Sequence, residues 1–221
     1  MKIALCCIAK DENPYFEEWI THHKKVGFDT IIIYDNQSKM AISRYFTNNN
    51  LCTKDVTIIN WNDIEFGSQS RAYINCCKEY LDYNYIAFLD VDEFYISTSM
   101  NVKQDLKSLN YPDALGIYWR IYGQPKPYLQ KRQSIDKYTY YFGDKHIKSI
   151  VNPKLVINFP DPHKAQIKAN SIYIDELNRK IISPIGEHTS NNIFIKHVFT
   201  RSLEEFHGKR RCKYSKKNKE K

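Results

Sequence analysis

The sequence predicts an α/β fold: a mostly parallel sheet with helices on both faces. Three observations carry that expectation. Short apolar runs alternate with helix-length amphipathic stretches through roughly the first ninety residues. Each apolar run ends in a polar cluster, and parallel sheets bind ligands at the carboxyl ends of their strands. The composition supplies a full core, with 42% hydrophobic residues including 17 Tyr, 11 Phe and 3 Trp in 221 residues.

Residues 2–9 form an apolar run and read as a buried strand. A helix should start at Asn13-Pro14: Asn13 can cap, Pro14 suits the first helical position, and Glu17 and Glu18 favour the first turn. Gly27 is its expected stop. Residues 29–34 are a second buried strand, 42–50 a short helix and 56–61 a third strand. Ser68 is the expected cap of a helix running to about Tyr83, and 85–89 is a fourth strand leading into Asp90-Val91-Asp92-Glu93-Phe94. The polar clusters at the four strand ends are 10–13, 35–38, 61–63 and Asp90 with Asp92.

The second half is less regular. Residues 114–122 read as a strand containing Trp119 and Arg120, and 128–147 as a mobile polar and aromatic segment. Residues 146–150 and 155–159 read as short strands, 172–174 with 180–182 as a hairpin, and 193–199 as another apolar run. Ser202 with Glu205 has the spacing of a capping box for a last helix. The expected organisation is one domain over 1–208 and a basic, disordered tail over 209–221.

All but one unit of the net charge of +8 belongs to that tail. It holds 8 basic residues and 1 acidic one, leaving 25 basic against 24 acidic over 1–208. A nucleic-acid reader would spread positive charge over a folded face; a basic tail suits an anionic lipid surface. The first residues lack a small-residue cleavage site and do not read as a signal peptide. No apolar run approaches the roughly 20 residues needed to span a bilayer. The six cysteines include two adjacent doublets, Cys6-Cys7 and Cys76-Cys77, and no C-x-x-C pair. Five of them sit in or beside apolar stretches and read as small buried hydrophobes in a reduced, cytoplasmic compartment.

Asp90-x-Asp92 at the end of a buried strand is the sharpest chemical feature. Two carboxylates at this spacing can reach one hard cation, Mn²⁺ or Mg²⁺, with substrate phosphates completing the shell. The competing reading is a strand-end turn of solvated acids. Among seven histidines, His163 sits in a proline loop and His197 inside an apolar run, where a core role is the commoner one. Glycine-rich phosphate loops, GxSxG and HExxH are all missing.

The segments AKDENPYFEEWITHHKKVGFDTIIIYDNQS, YIAFLDVDEFY, IYWRIYGQP, HIKSIVNP and HVFTRSLEEF occur in that order. Together, over about residues 3–206, they resemble the family 2-like glycosyltransferases related to glycosyltransferase family 92. The resemblance implies a GT-A fold and a metal-dependent, inverting sugar transfer from a nucleoside diphosphate sugar, with uridine the expected base. Asp90 and Asp92 match the DxD, with Asp92 the more direct ligand, and His197 matches the histidine that completes the metal site. Lys10, Glu12, Asp35 and Asn36 match nucleoside-holding positions, and Gln69 a polar position on the preceding helix. Trp119 and Arg120 match a WR position, and Lys148 a cation near the diphosphate. The catalytic base does not transfer cleanly; Asp161 and Glu93 are the candidates, with Asp113 and Asp144 behind them. The acceptor would be a glycan or lipid-linked sugar, and the tail would hold the enzyme on the inner face of a membrane. Two other readings compete: a non-enzymatic polyanion-binding module acting through the tail, and a DxD metal-dependent phosphohydrolase using Asp90 as nucleophile.

Overall fold

The computed structural model describes residues 1–123, 134–186 and 191–199. The early apolar runs become β1 (Ile3–Ala9), β2 (Thr30–Asp35), β3 (Val56–Asn60) and β4 (Tyr85–Phe88). They pair in parallel in the order β3-β2-β1-β4. Between them lie α1 (Phe16–Lys25), α2 (Ile42–Asn48) and α3 (Ser68–Glu79). After β4 come β5 (Glu93–Ser97), α4 (Val102–Ser108) and the long strands β6 (Ala114–Gly123) and β7 (Tyr140–Val151). A hairpin of β8 (Val156–Asp161) and β9 (Lys164–Ile167) follows, then β10 (Tyr173–Ile174) and β11 (Ile193–His197).

One nine-stranded sheet carries the order β3-β2-β1-β4-β7-β6-β11-β5, with β10 added beside β6; β8 and β9 pair only with each other. β7 runs antiparallel to β4 and β6, and β5 antiparallel to β11, so two reversed strands interrupt an otherwise parallel sheet.

The period-2 alternation of β1 explains the two-faced core. Ile3, Leu5, Cys7 and Ala9 pack with Phe16 and Trp19 of α1, Ile42 and Phe46 of α2, and Val102 and Leu106 of α4. Ala4 and Cys6 face the other way, against Ala72, Tyr73, Cys76 and Cys77 of α3 and Phe159 and Ala165 of the small hairpin. Cys6 and Cys7 thus lie in different halves of the core, and both are free thiols. Cys52 departs from the expectation of burial: it is exposed, beyond the end of α2, while Cys212 lies outside the described residues.

Several local expectations change. Asn13 opens a 3-10 turn (Asn13–Tyr15) rather than capping the α-helix, and its amide donates to the Met40 carbonyl at 2.8 Å. Gly27 does end α1, at φ +100°, a conformation only glycine adopts without strain. Gly67, at φ +84°, caps α3 instead of Ser68. The Ser68 hydroxyl donates to the Asp63 carbonyl at 2.6 Å and accepts from the Trp61 indole at 3.1 Å, fixing the loop after β3.

The larger correction concerns 128–147. Residues 140–147 are not a mobile segment but the first part of β7, paired along β6 from Gly123↔Tyr140 to Ala114↔Val151 with one irregularity between Tyr118 and Arg120. The strand is made by its pairing with β6 rather than by a local apolar pattern, so without that partner it reads as loop. Of the expected 172–182 hairpin, a bridge at Ile174↔Lys180 forms, while β10 joins the main sheet beside β6. β5 and α4 were not expected. The 202–205 capping box and the 209–221 tail lie outside the described residues. Among the described residues, no helix is long and apolar enough to cross a membrane.

Candidate active site

The Asp90-Val91-Asp92 turn links β4 to β5 and is held on every side. Asp90's carbonyl accepts from Glu93 N at 3.0 Å and from the Trp19 indole at 3.1 Å, and the same indole reaches the Glu93 carbonyl at 2.8 Å. Val198 N donates to the Asp92 carbonyl at 2.8 Å. The β5·β11 register sets Glu93 opposite His197. That pairing carries the histidine next to Asp92 across more than a hundred residues of chain.

A cavity of about 340 Å³ opens over this turn, lined by Ile8, Ala9, Lys10, Glu12, Gln69, Asp90, Val91, Asp92, His197 and Phe199. The sequence-derived candidates Lys10, Glu12, Gln69, Asp90, Asp92 and His197 therefore border one space. It lies at the carboxyl end of β1 and β4, where α/β sheets place their ligands.

Lys148 lies behind Asp90. Its side chain is 1% exposed, and its Nζ stands 2.9 Å from Asp90 Oδ2 and 3.2 Å from Glu93 Oε2. Burial works against the charge on Lys148, but Asp90 and Glu93 outweigh it and hold the pKa above its usual value. Glu93 is fully buried, and its Oε2 accepts from Asp90 N at 2.8 Å. Burial lifts its pKa to about 7 despite the neighbouring Lys148 charge. Asp90's other oxygen accepts from the Gln69 amide at 2.8 Å.

Asp92 and His197 form the wall that a cation would meet. Asp92 Oδ1 lies 3.7 Å from His197 Nε2. Burial disfavours the imidazolium, but the Asp92 carboxylate prevails and raises the histidine pKa. One carboxylate and one imidazole suit Mn²⁺, and partial protein coordination with substrate oxygens is the habit of Mg²⁺ sites. Among the described residues no group of three His, Cys, Asp or Glu side chains is placed to hold an ion without other ligands. The residues fit a metal completed by a diphosphate.

Other candidates are placed elsewhere. Asp35 is buried and braces the turn after β2, accepting from Ser38 N at 3.0 Å and Ile42 N at 2.8 Å. Asn36 donates its backbone N–H to the Ala9 carbonyl at 2.8 Å but does not line the cavity. Arg120 does not line the cavity: its guanidinium bonds Asn191 and stacks 3.9 Å from the Phe194 ring and 5.0 Å from Tyr141. Adjacent strand residues point to opposite faces, and it is Trp119 that lies beside His197, with ring centroids 4.5 Å apart. Glu93, expected as a base, is sealed beneath the turn. Asp113 sits at the start of β6, the opposite edge of the sheet, accepting from Ile172 N at 2.8 Å. Asp161 lies at the tip of the β8–β9 hairpin beside His163. Asp144 is outside the residues whose side chains are described. Sequence reasoning missed Trp19, whose bonds to the turn arise from contacts that no local pattern signals.

This arrangement of a parallel sheet half, a mixed half and a polar cavity where they meet is the GT-A fold. HddC from Yersinia pseudotuberculosis shares this shape. Complexed with GMP-PN, that protein superposes with a TM-score of 0.51 and 12% identity over 92% of this chain and 99% of its own. S. aureus TarS in complex with UDP aligns at TM-score 0.46 and 13% identity over 69% of this chain and 47% of that one. The model of glycosyltransferase family 92 matches residues 3–168, and the chain belongs to that family. A family 92 protein of Arabidopsis thaliana is 29% identical over 133 residues, 56% of this chain and 22% of the relative. One of Ricinus communis is 28% identical over 95 residues, 42% of this chain and 16% of the relative. The matched stretch is thus less than a quarter of either curated relative.

Proposed function

We propose that this chain transfers a sugar from a nucleoside diphosphate sugar, with uridine as its nucleoside, to a hydroxyl of a glycan or lipid-linked acceptor, with inversion. The observation that carries the reading is the convergence of Lys10, Glu12, Gln69, Asp92 and His197 on one cavity, with Lys148 buried behind Asp90. Family membership favours transfer over the phosphohydrolase and polyanion-binding alternatives.

Lys10 and Glu12, at the end of β1, would meet the nucleoside side of the donor. Asp92 and His197 would hold Mn²⁺ or Mg²⁺. When bound, the metal offsets the charge that develops on the departing diphosphate. The chain's own share of that work is electrostatic. Lys148 neutralises Asp90 and leaves the turn less repulsive to phosphate oxygens, at a fixed position that needs no reorganisation during reaction. Glu93 and the Trp19 indole keep the turn in shape. The lysine-rich stretch 209–221 would hold the enzyme on the inner, anionic face of a membrane, at up to about 1 kcal/mol per basic residue near the surface.

The test is a thermal-shift panel of nucleoside diphosphates and their sugars, with and without Mn²⁺, on wild type and Asp92→Ala. Ligand at a hundred times its Kd stabilises the native state by about 2.7 kcal/mol. A Mn²⁺-dependent rise in melting temperature with one nucleotide, lost in the variant, is the expected result. Folded protein that shifts with none of them would refute the reading.

A further inference from the structure

Inverting transfer needs a proton acceptor beside the incoming hydroxyl, and neither carboxylate suggested by the sequence suits the task. Glu93 is fully buried beneath the Asp90–Asp92 turn and bound to Asp90 N and Lys148. Asp161 accepts two hydrogen bonds from one residue: from His163 N at 2.7 Å and from the His163 ring through Nδ1 at 2.5 Å. Those bonds outweigh partial burial and hold its carboxyl below the usual range, which makes it a weak base.

The ring it holds is placed differently. Register Asp161↔Lys164 leaves Pro162 and His163 as the two-residue tip of the β8–β9 hairpin. The tip is pinned to β7: the Ser149 hydroxyl donates to the His163 carbonyl at 2.9 Å and accepts from Ala165 N at 3.3 Å. Ser149 follows Lys148, so the hairpin is anchored one residue from the lysine behind Asp90. The His163 ring lies 5.1 Å from the Trp119 ring, whose other neighbour, at 4.5 Å, is the cavity-lining His197. One indole separates His163 from His197. His163 keeps 23% of its side chain exposed, whereas Glu93 keeps none.

We propose that His163, oriented by Asp161, is the base that takes the acceptor's proton. The assignment rests on the transferase reading above. With Nδ1–H donated to Asp161, the lone pair is on Nε2. The acceptor O–H bond breaks toward Nε2 as the acceptor oxygen bonds the anomeric carbon. The bond from that carbon to the diphosphate oxygen breaks, and its electron pair leaves with the nucleoside diphosphate. The imidazolium is stabilised by Asp161 and afterwards releases its proton to water. Burial and the Lys148 charge keep the ring neutral at rest, against the pull of Asp161; among the described residues, His146, 5.0 Å away on β7, also faces it. Asp161 is in this scheme a positioning residue rather than the base.

The experiment uses full-length protein, Mn²⁺ and a panel of UDP-hexoses, with water as the acceptor, reading UDP release and, separately, donor affinity by calorimetry. His163→Ala should lower turnover about 10²-fold or more while donor affinity stays within twofold, and added imidazole should restore part of the rate. Long-range ¹⁵N–¹H spectra of the wild-type ring should show Nδ1 protonated and Nε2 bare. Asp161→Asn should lose that tautomer and lose turnover without losing donor binding. Turnover of His163→Ala equal to wild type, a loss that imidazole does not rescue, or a wild-type ring protonated on Nε2 would each overturn the assignment. Wild type that binds no nucleotide would instead refute the transferase reading, and the base with it. The tautomer measurement can overturn the assignment even where hydrolysis is too slow to follow.

Discussion

Two lysines serve the same cavity from different halves of the sheet, and they could hardly be more unlike. Lys10 stands on the loop after β1, exposed to solvent and lining the cavity directly. Lys148 sits within β7, buried, its charge divided between Asp90 and Glu93. The parallel half sets Lys10 in a loop beyond a strand end, where water already solvates it, although Asp35, at the end of β2, is buried. The mixed half embeds its polar groups in the strands, where each must be matched by a partner. The first arrangement can be altered at small cost to folding. The second joins folding and function, because removing one member of a buried ion cluster leaves the others uncompensated.

That contrast can be broken by measurement. Lys148→Met should produce the largest loss, about 3–5 kcal/mol of stability, since Asp90 and Glu93 remain without their cation. Chemical denaturation would read it; a loss below about 1 kcal/mol would mean that the cluster is hydrated and that the two halves do not differ in this way. Glu93→Gln should act through pH. The folded state raises the Glu93 pKa from its usual 4.5 to about 7, so it binds a proton that the unfolded state has released. That contribution is fully present below about pH 4.5 and lost as pH rises through about 7. In metal-free buffer, the melting temperature of wild type minus that of the variant should fall across this window; a flat difference would show that Glu93 titrates normally.

Asp35→Ala tests the loop side. It removes acceptors for Ser38 N and Ile42 N and should cost about 1–3 kcal/mol, with a smaller change in nucleotide affinity. The reverse ranking would return Asp35 to the nucleoside contact its sequence position suggested. Lys10→Ala should have the smallest effect on folding, leaving the melting temperature unchanged. Its nucleotide affinity should drop a few-fold, more at low salt than at high. A variant that melts well below wild type would make Lys10 structural, and the two lysines alike.

Much of this molecule was legible in the chain itself. The four parallel strands and three helices of the first half follow from local periodicity. So do the placement of Asp90 and Asp92 at a strand end and the exit of α1 at Gly27. In each, neighbours in sequence are neighbours in the structure, and the pattern of apolar and polar residues is read over one turn or one pleat. Local reading failed where pairing is long-range. Residues 140–147 look like loop until β6 lies beside them, and β5 is inconspicuous until β11 covers it. The site shows the same division. The strand-end position of Asp90 and Asp92 was visible in the sequence, whereas Lys148 and His197 were suggested only by the family resemblance. That Glu93 turns inward, that Arg120 turns away from the cavity while Trp119 stands beside His197, and that His163 comes to lie against Trp119 were decided by the tertiary structure alone. Strand register fixes which face each side chain takes, a shift of one residue reverses it, and no local pattern records the register of strands a hundred residues apart.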